Sequence, residues 1–195
     1  MQDDEQATDH DHYLEGRLLI AMPSIDSSVF ERAVIYMCAH SDDGAMGLIV
    51  NKPAPELKFA ELLKQLGIPE TEEARRIQVH VGGPVEHGRG FVLHSGDYHL
   101  EESTMEVGDG FGMTATLDII RDMARGAGPQ KSIMALGYAG WGPGQLEQEL
   151  QDNGWLVCDA DRDLVFAVAD DEKWQFALKS LGVTPSMLSG AGGAA

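Results

Sequence analysis

The chain has 195 residues, 43% of them hydrophobic, and a formal net charge of -18 at pH 7. That length suits one domain burying about 70% of its unfolded surface. The charge counts against nucleic-acid binding, which draws on Lys and Arg that displace counterions from phosphates, and no basic run beyond the pair Arg75-Arg76 offsets it.

Six acids (Asp3, Asp4, Glu5, Asp9, Asp11 and Glu15) lie in the first 15 residues, so residues 1–14 read as a disordered acidic tail. Without them, 26 acids still face 14 bases. The N-terminus lacks the basic and apolar regions of a secretory signal, and no stretch approaches the roughly 20 apolar residues of a membrane helix. With two cysteines, Cys38 and Cys158, the default expectation is a reduced, cytoplasmic protein with two buried thiols.

GRLLIA (16–21) predicts a strand, and AVIYMCAH (33–40), an apolar run rich in strand formers, a central one. The turn Ser41-Asp42-Asp43-Gly44 leads to a strand at GLIVN (47–51), ended by Pro53 and Pro55. LKFAELLKQLG (57–67) has Phe59, Leu62, Leu63 and Leu66 at helical spacing, with Gly67 as the stop. IQVHVGG (77–83), GRGFVLHS (88–95) and STMEV (103–107) are strand candidates. TATLDIIRDMARG (114–126) predicts a helix facing Leu117, Ile120 and Met123 or Ala124 inward. KSIMALGYA (131–139) is a strand that leads into GYAGWGPGQLEQEL (137–150) and a short helix. WLVCD (155–159) and DLVFAVA (163–169) read as a hairpin. DEKWQFALKSLG (171–182) is a helix with Trp174, Ala177, Leu178 and Leu181 on one face and Asp170 or Asp171 as its cap. SGAGGAA (189–195) reads as a flexible tail, leaving one domain over 15–188. Strands outnumber helices, which argues an α+β fold with a largely antiparallel or mixed sheet curled toward a barrel and about four helices.

GYAGWGPGQLEQEL is not a phosphate cradle. It has no Lys, Ser or Thr of a Walker loop, its glycine spacing does not fit a dinucleotide fingerprint, and Glu147 and Glu149 already satisfy the positive end of the helix. Two readings stay open: a strand-to-helix turn in which Gly140, Gly142 and Gly144 allow unusual backbone angles, or a loop that also lines a pocket. VGGPVEHGRGF (81–91), with Glu86, His87 and Arg89, is either a turn with solvated charges or a polar cleft wall. Cys38 and His40, two apart on one strand, are expected to share a face, with Cys38 a buried inert thiol before a nucleophile. His10 and His12 bind metal adventitiously at most, and no zinc-spaced Cys or His cluster appears. No metal or cofactor site is read from the sequence.

Taken in order, GRLLIAMPSIDSSVFERAVIYMCAHSDDGAMGLIVNKP (16–53), VGGPVEHGRGFVLH (81–94) and LGYAGWGPGQLEQELQDNGWL (136–156) resemble the YqgE/AlgH family of bacterial proteins. The resemblance covers nearly the whole chain from Gly16. It implies an α+β pseudo-barrel with a split sheet. Family members are described as transcriptional regulators because one was linked genetically to alginate production; no catalytic residue or cofactor carries over. The signature positions are Pro23, Phe30, Arg32, Cys38, His40, Gly47, Asn51, Lys52, Gly82, Gly83, Pro84, Gly90, Phe91, His94, Gly137, Tyr138, Trp141, Gln145, Leu146 and Glu147. The candidate pocket or signature set is Arg32, His40, Asn51, Gly82, Gly83, Pro84, Glu86, His94, Tyr138, Trp141 and Gln145, with Glu86 taken from the 81–91 segment. The expected role is indirect regulation through a protein partner or small ligand. The alternative is an enzyme or ligand-binding protein whose pocket is walled by 81–91 and 137–145.

Overall fold

The computed structural model describes residues 12–27 and 29–189. Their strands are β1 (Arg17–Ala21), β2 (Val34–Ser41), β3 (Gly44–Ile49), β4 (Pro53–Lys58), β5 (Gln78–Val81), β6 (Val85–Ser95), β7 (Thr104–Glu106), β8 (Phe111–Thr114), β9 (Ser132–Trp141) and β10 (Trp155–Asp159). The helices are α1 (Phe59–Gln65), α2 (Glu72–Arg75), α3 (Leu117–Ala124), α4 (Gln145–Gln151), α5 (Arg162–Phe166), α6 (Asp170–Ser180) and α7 (Pro185–Ser189). Among the described residues, no helix is long and apolar enough to cross a membrane.

The sheet runs β10-β1-β2-β3-β9-β6-β8-β7, with β4 and β5 on a branch. β9 belongs to both halves. Its first part takes β5 alongside in parallel (Val79↔Met134 to Val81↔Leu136), and its last part takes β3 antiparallel (Ala45↔Trp141 to Gly47↔Ala139). The split falls at Gly137, which sits at φ +75°. There the Gly82-Gly83 backbone threads between the halves: Gly82 N–H donates to Leu136 O (2.8 Å), and Gly82 O accepts from Ile49 N–H (2.9 Å). The mixed, largely antiparallel split sheet expected from the sequence is thus the observed one.

The sheet is curled so that residues from its two ends share one inner face. Leu18 and Ile20 of β1, Val34 and Tyr36 of β2, and Phe91, Phe111 and Met113 from the far end of the sheet meet in one inner cluster, closed by Trp174, Ala177 and Leu178 of α6. The alternate residues Leu19, Ile35, Met37 and Ile49 form an outer cluster under α4. Phe59, Leu63, Ile119 and Met123 of α1 and α3 cover the outer face of the other half. Two-sided burial explains why β1 and β2 read as continuous apolar runs.

Several expectations need correction. α1, α3, α4 and α6 are the four helices the periodicity predicts; α2, α5 and α7 are additional short helices. The hairpin expected at 155–169 does not form. Asp161 accepts from the N–H groups of Asp163 and Leu164 (2.9 and 3.1 Å) and starts α5 instead; a short apolar run does not distinguish strand from helix. The helix expected at 114–126 begins at Leu117, because β8 takes Phe111–Thr114 into pairing with β6. Its face is rotated, with Ile119 buried and Leu117 47% exposed. Leu66 and Leu181 also stand exposed. The cap of α6 is Ala169, with no side-chain hydrogen bond, and Asp170 lies inside the helix. The flexible tail predicted at 189–195 lies outside the described residues except for Ser189, which ends α7. So does most of the acidic tail, including His10; Tyr13 and Leu14 pack on the domain.

Candidate functional site

A cleft of about 620 Å³ opens at the mouth of the curl. Its floor is Met46, Phe91, Met113 and Tyr138, all packed on the inner cluster. Phe91 and Tyr138 meet edge to face at 5.6 Å. The rim is polar. Asp43 comes from the β2–β3 turn, and Glu86 and Arg89 come from β6. A register break puts them there. Pairing jumps from Val85↔Tyr138 to Gly90↔Leu136, so β6 advances five positions while β9 advances two. The surplus residues bulge outward, with Glu86 held at φ +49°. The Arg89 guanidinium lies 5.1 Å from the Phe91 ring centroid and 3.4 Å from Glu86. The segment expected as a loop at 81–91 is therefore mostly irregular strand.

Of the candidate residues, Glu86, Tyr138 and Trp141 line this cleft. Gly82 and Gly83 form the seam between the half-sheets, and Pro84 is exposed beside it. Asn51 is structural: its Oδ1 accepts from Val34 N–H and its Nδ2 donates to Arg32 O, both at 2.9 Å. Arg32, at φ +53°, holds its guanidinium 5.3 Å over the Trp174 ring. Sequence reasoning missed Met46 and Met113, whose signal is only that of generic core residues, and Asp43, which it read as a turn residue.

Cys38 and His40 do not share a face. The β2–β3 register shifts between Met37↔Gly47 and Ala39↔Met46, a bulge at Cys38. Cys38 enters the inner cluster, while His40 Nε2 donates to Glu147 Oε1 on α4 at 2.6 Å. His40 Nδ1 accepts from Leu14 N–H (3.0 Å) and the Tyr13 ring caps its edge. Glu147's own backbone N–H in the first turn of α4, together with the His40 bond, holds its carboxyl below the usual range despite partial burial. Burial pushes the Cys38 thiol up to about 12, so it is protonated at neutral pH.

GYAGWGPGQLEQEL is a strand end, a turn and a helix start. Gly137 and Gly144 have positive φ, whereas Gly140 and Gly142 do not. Gln145 Oε1 accepts from Gly142 N–H (3.0 Å) and closes the turn. Leu146 is buried beneath it.

His94 is fully buried and engaged on both nitrogens. Nδ1–H donates to Ser95 O (3.0 Å), leaving Nε2 to accept from the Thr114 hydroxyl (2.8 Å). Thr114 Oγ1 lies 2.8 Å from Thr104 Oγ1, which accepts from Leu100 N–H. This chain suits a neutral imidazole. Burial lowers the His94 pKa, and the Ser95 bond and Asp97 only partly oppose that. The unfolded chain therefore binds the proton first. His94 contributes its full stabilisation above the ordinary histidine pKa of about 6.5 and loses it as pH falls from there toward the depressed value. Urea unfolding between pH 7 and 5 should show stability falling with pH, with a shallower slope in His94→Gln. Equal slopes in both proteins would refute the neutral-imidazole assignment.

The fold and cleft define a class: a split-sheet α+β half-barrel with an apolar-floored mouth. The profile of the AlgH-like family matches residues 18–186. The chain belongs to that family. It is 55% identical over 188 residues to a UPF0301 protein of Bradyrhizobium diazoefficiens, covering 93% of this chain and 88% of the relative. A UPF0301 protein of Ruegeria pomeroyi is 56% identical over 181 residues, covering 92% and 98%. The solution structure of AlgH from Pseudomonas aeruginosa superposes with a TM-score of 0.78 at 39% identity over the full length of both chains. Protein DIP2367 of Corynebacterium diphtheriae shares the fold at 19% identity and a TM-score of 0.72, covering 97% of this chain and 94% of its own.

Proposed function

We propose that this protein is a binding protein: the cleft at the mouth of the half-barrel takes a small ligand or a partner's side chains, and any effect on gene expression is indirect. The carrying observation is the cleft itself, an apolar floor of Met46, Phe91, Met113 and Tyr138 beneath a rim of Asp43, Glu86 and Arg89. Barrel mouths with apolar linings and a few convergent polar groups are favoured ligand sites. The groups that chemistry would recruit are engaged elsewhere: His94 in its hydroxyl chain, His40 against Glu147, and Cys38 protonated in the core. That favours binding over catalysis. The charge of -18 favours a protein or metabolite partner over direct contact with DNA. The buried free thiols Cys38 and Cys158 support a reducing, cytoplasmic setting.

A thermal-shift panel of nucleotides and common metabolites tests the reading. A ligand at about 100 times its Kd adds about 2.7 kcal/mol, a rise of about 5–10 °C in a chain of this size. Tyr138→Ala should abolish the rise, and Lys179→Ala on the exposed face of α6 should keep it. Shifts that all survive Tyr138→Ala would place binding outside the cleft and end the proposal.

A further inference from the structure

A second cavity, of about 240 Å³, lies under α4 on the outer face of the sheet. It shares only Gly140 and Trp141 with the mouth cleft. Trp141 ends β9, Trp155 begins β10, and Phe30 comes from the turn before β2. The Trp155 ring stands at 79° to Trp141 and at 86° to Phe30, with centroids 6.1 and 5.9 Å apart. A carboxylate sets this geometry. Glu149 Oε2 accepts both indole N–H groups, from Trp141 at 2.9 Å and Trp155 at 2.8 Å. Its Oε1 accepts from Gln145 Nε2 at 3.1 Å. The two indoles are thus pinned by their N–H edges. Asp152 adds a second carboxylate, and the lining includes no Lys, Arg or His.

We propose that this pocket binds an organic cation, an alkylammonium head group of the quaternary type. Aromatic rings set at steep angles attract such cations through their quadrupoles, most strongly for Trp. A quaternary head is weakly hydrated and apolar at its surface, so it suits aromatic walls, and its charge answers the two carboxylates. An anion would meet those carboxylates uncompensated. A neutral apolar group would desolvate them without return. The pocket has room for such a head: at about 30 Å³ per water, 240 Å³ is the space of roughly eight waters. The -18 charge of the chain adds a favourable long-range field.

The test titrates the full-length protein with choline and with its neutral isostere 3,3-dimethylbutan-1-ol, following tryptophan fluorescence. Two of the three tryptophans line the pocket. Choline should bind saturably, with the isostere at least about tenfold weaker. Asp152→Asn, at an exposed position away from the indole bonds, should weaken choline severalfold and leave the alcohol unchanged, as should Glu149→Gln if it folds. Tyr138→Ala should leave choline binding intact, so failure here is distinct from failure of the cleft. A trimethyl-lysine amide run in parallel separates the sources: tighter than choline means a side chain presented by a partner, weaker means a free small cation. Equal affinity for choline and the alcohol, or saturation by neither up to about 100 mM, where binding would be worth only about 1.4 kcal/mol, overturns the proposal.

Discussion

Gly137→Ala is expected to lower the unfolding free energy by about 3–4 kcal/mol. Gly137 is where β9 passes from one half-sheet to the other, at φ +75°. A non-glycine residue there carries the left-handed backbone penalty of about 1–2 kcal/mol. The added methyl has no room either: a Cβ would stand 2.4 Å from Gly83 O and 3.0 Å from Val85 O. Both contacts are backbone, so no flexible side chain can yield. Relief requires opening the seam that sets the curl and the cleft. Gly88→Ala is the control. It lies on the bulged part of β6, where an added methyl would meet nothing within 4 Å, and should change stability by less than about 0.5 kcal/mol. Urea unfolding of both variants checks this, and similar small losses in the two would refute the seam.

Asp170→Ala should cost about 3–5 kcal/mol, the range for breaking a buried ion pair from one side. Asp170 Oδ1 accepts from Lys173 Nζ and Oδ2 from His80 Nε2, both at 2.8 Å. Lys173 is 3% exposed, and its other partner is Val50 O at 2.8 Å. His80 Nδ1 is buried without a hydrogen-bond partner. Removing the carboxylate thus leaves a buried ammonium with one carbonyl and an imidazole with none. Burial would push the Asp170 carboxyl up, but the His80 and Lys173 bonds overcome it and hold the pKa low. The contribution is present above the unfolded aspartate value of about 3.9 and is lost as pH falls through it toward the depressed value. The gap between parent and variant should therefore be full at pH 7 and shrink below about pH 4. Asp171→Ala, one residue on and exposed, should cost no more than about 0.5 kcal/mol. Equal effects of the two substitutions would show that Asp170 acts only as a helix-end charge.

Legibility in the sequence followed the range of the interaction. The run at 16–21 announced a strand and that at 33–40 a central one, because Leu18–Ala21 and Ala33–Cys38 are buried whichever way they point. The spacing in 57–67 and 171–182 announced helices. Faces and boundaries were less legible. Leu117 fits an inward position by period alone, yet β8 takes the residues before it and turns the helix. Cys38 and His40 obey strand alternation until a bulge opposite Gly47 separates them. In the candidate set, Tyr138, Trp141 and Glu86 are lining residues of one cleft, whereas His94 and Asn51 are scaffolding, and a polar residue at a strand end looks the same in either role.

The amino-acid sequence by itself determined the strand-rich α+β class, the main helices and the family, because these rest on local periodicity and on ordered motifs spread along the chain. It also determined the acidity of the chain, with a net charge of -18. Only the tertiary structure decided that β9 is shared by two half-sheets, that a register break carries Glu86 and Arg89 over an apolar floor, and that one carboxylate pins tryptophans from two different strands beside Phe30. These depend on which strands pair and where register slips, and that is set by the packing of distant residues rather than by any neighbour in the chain.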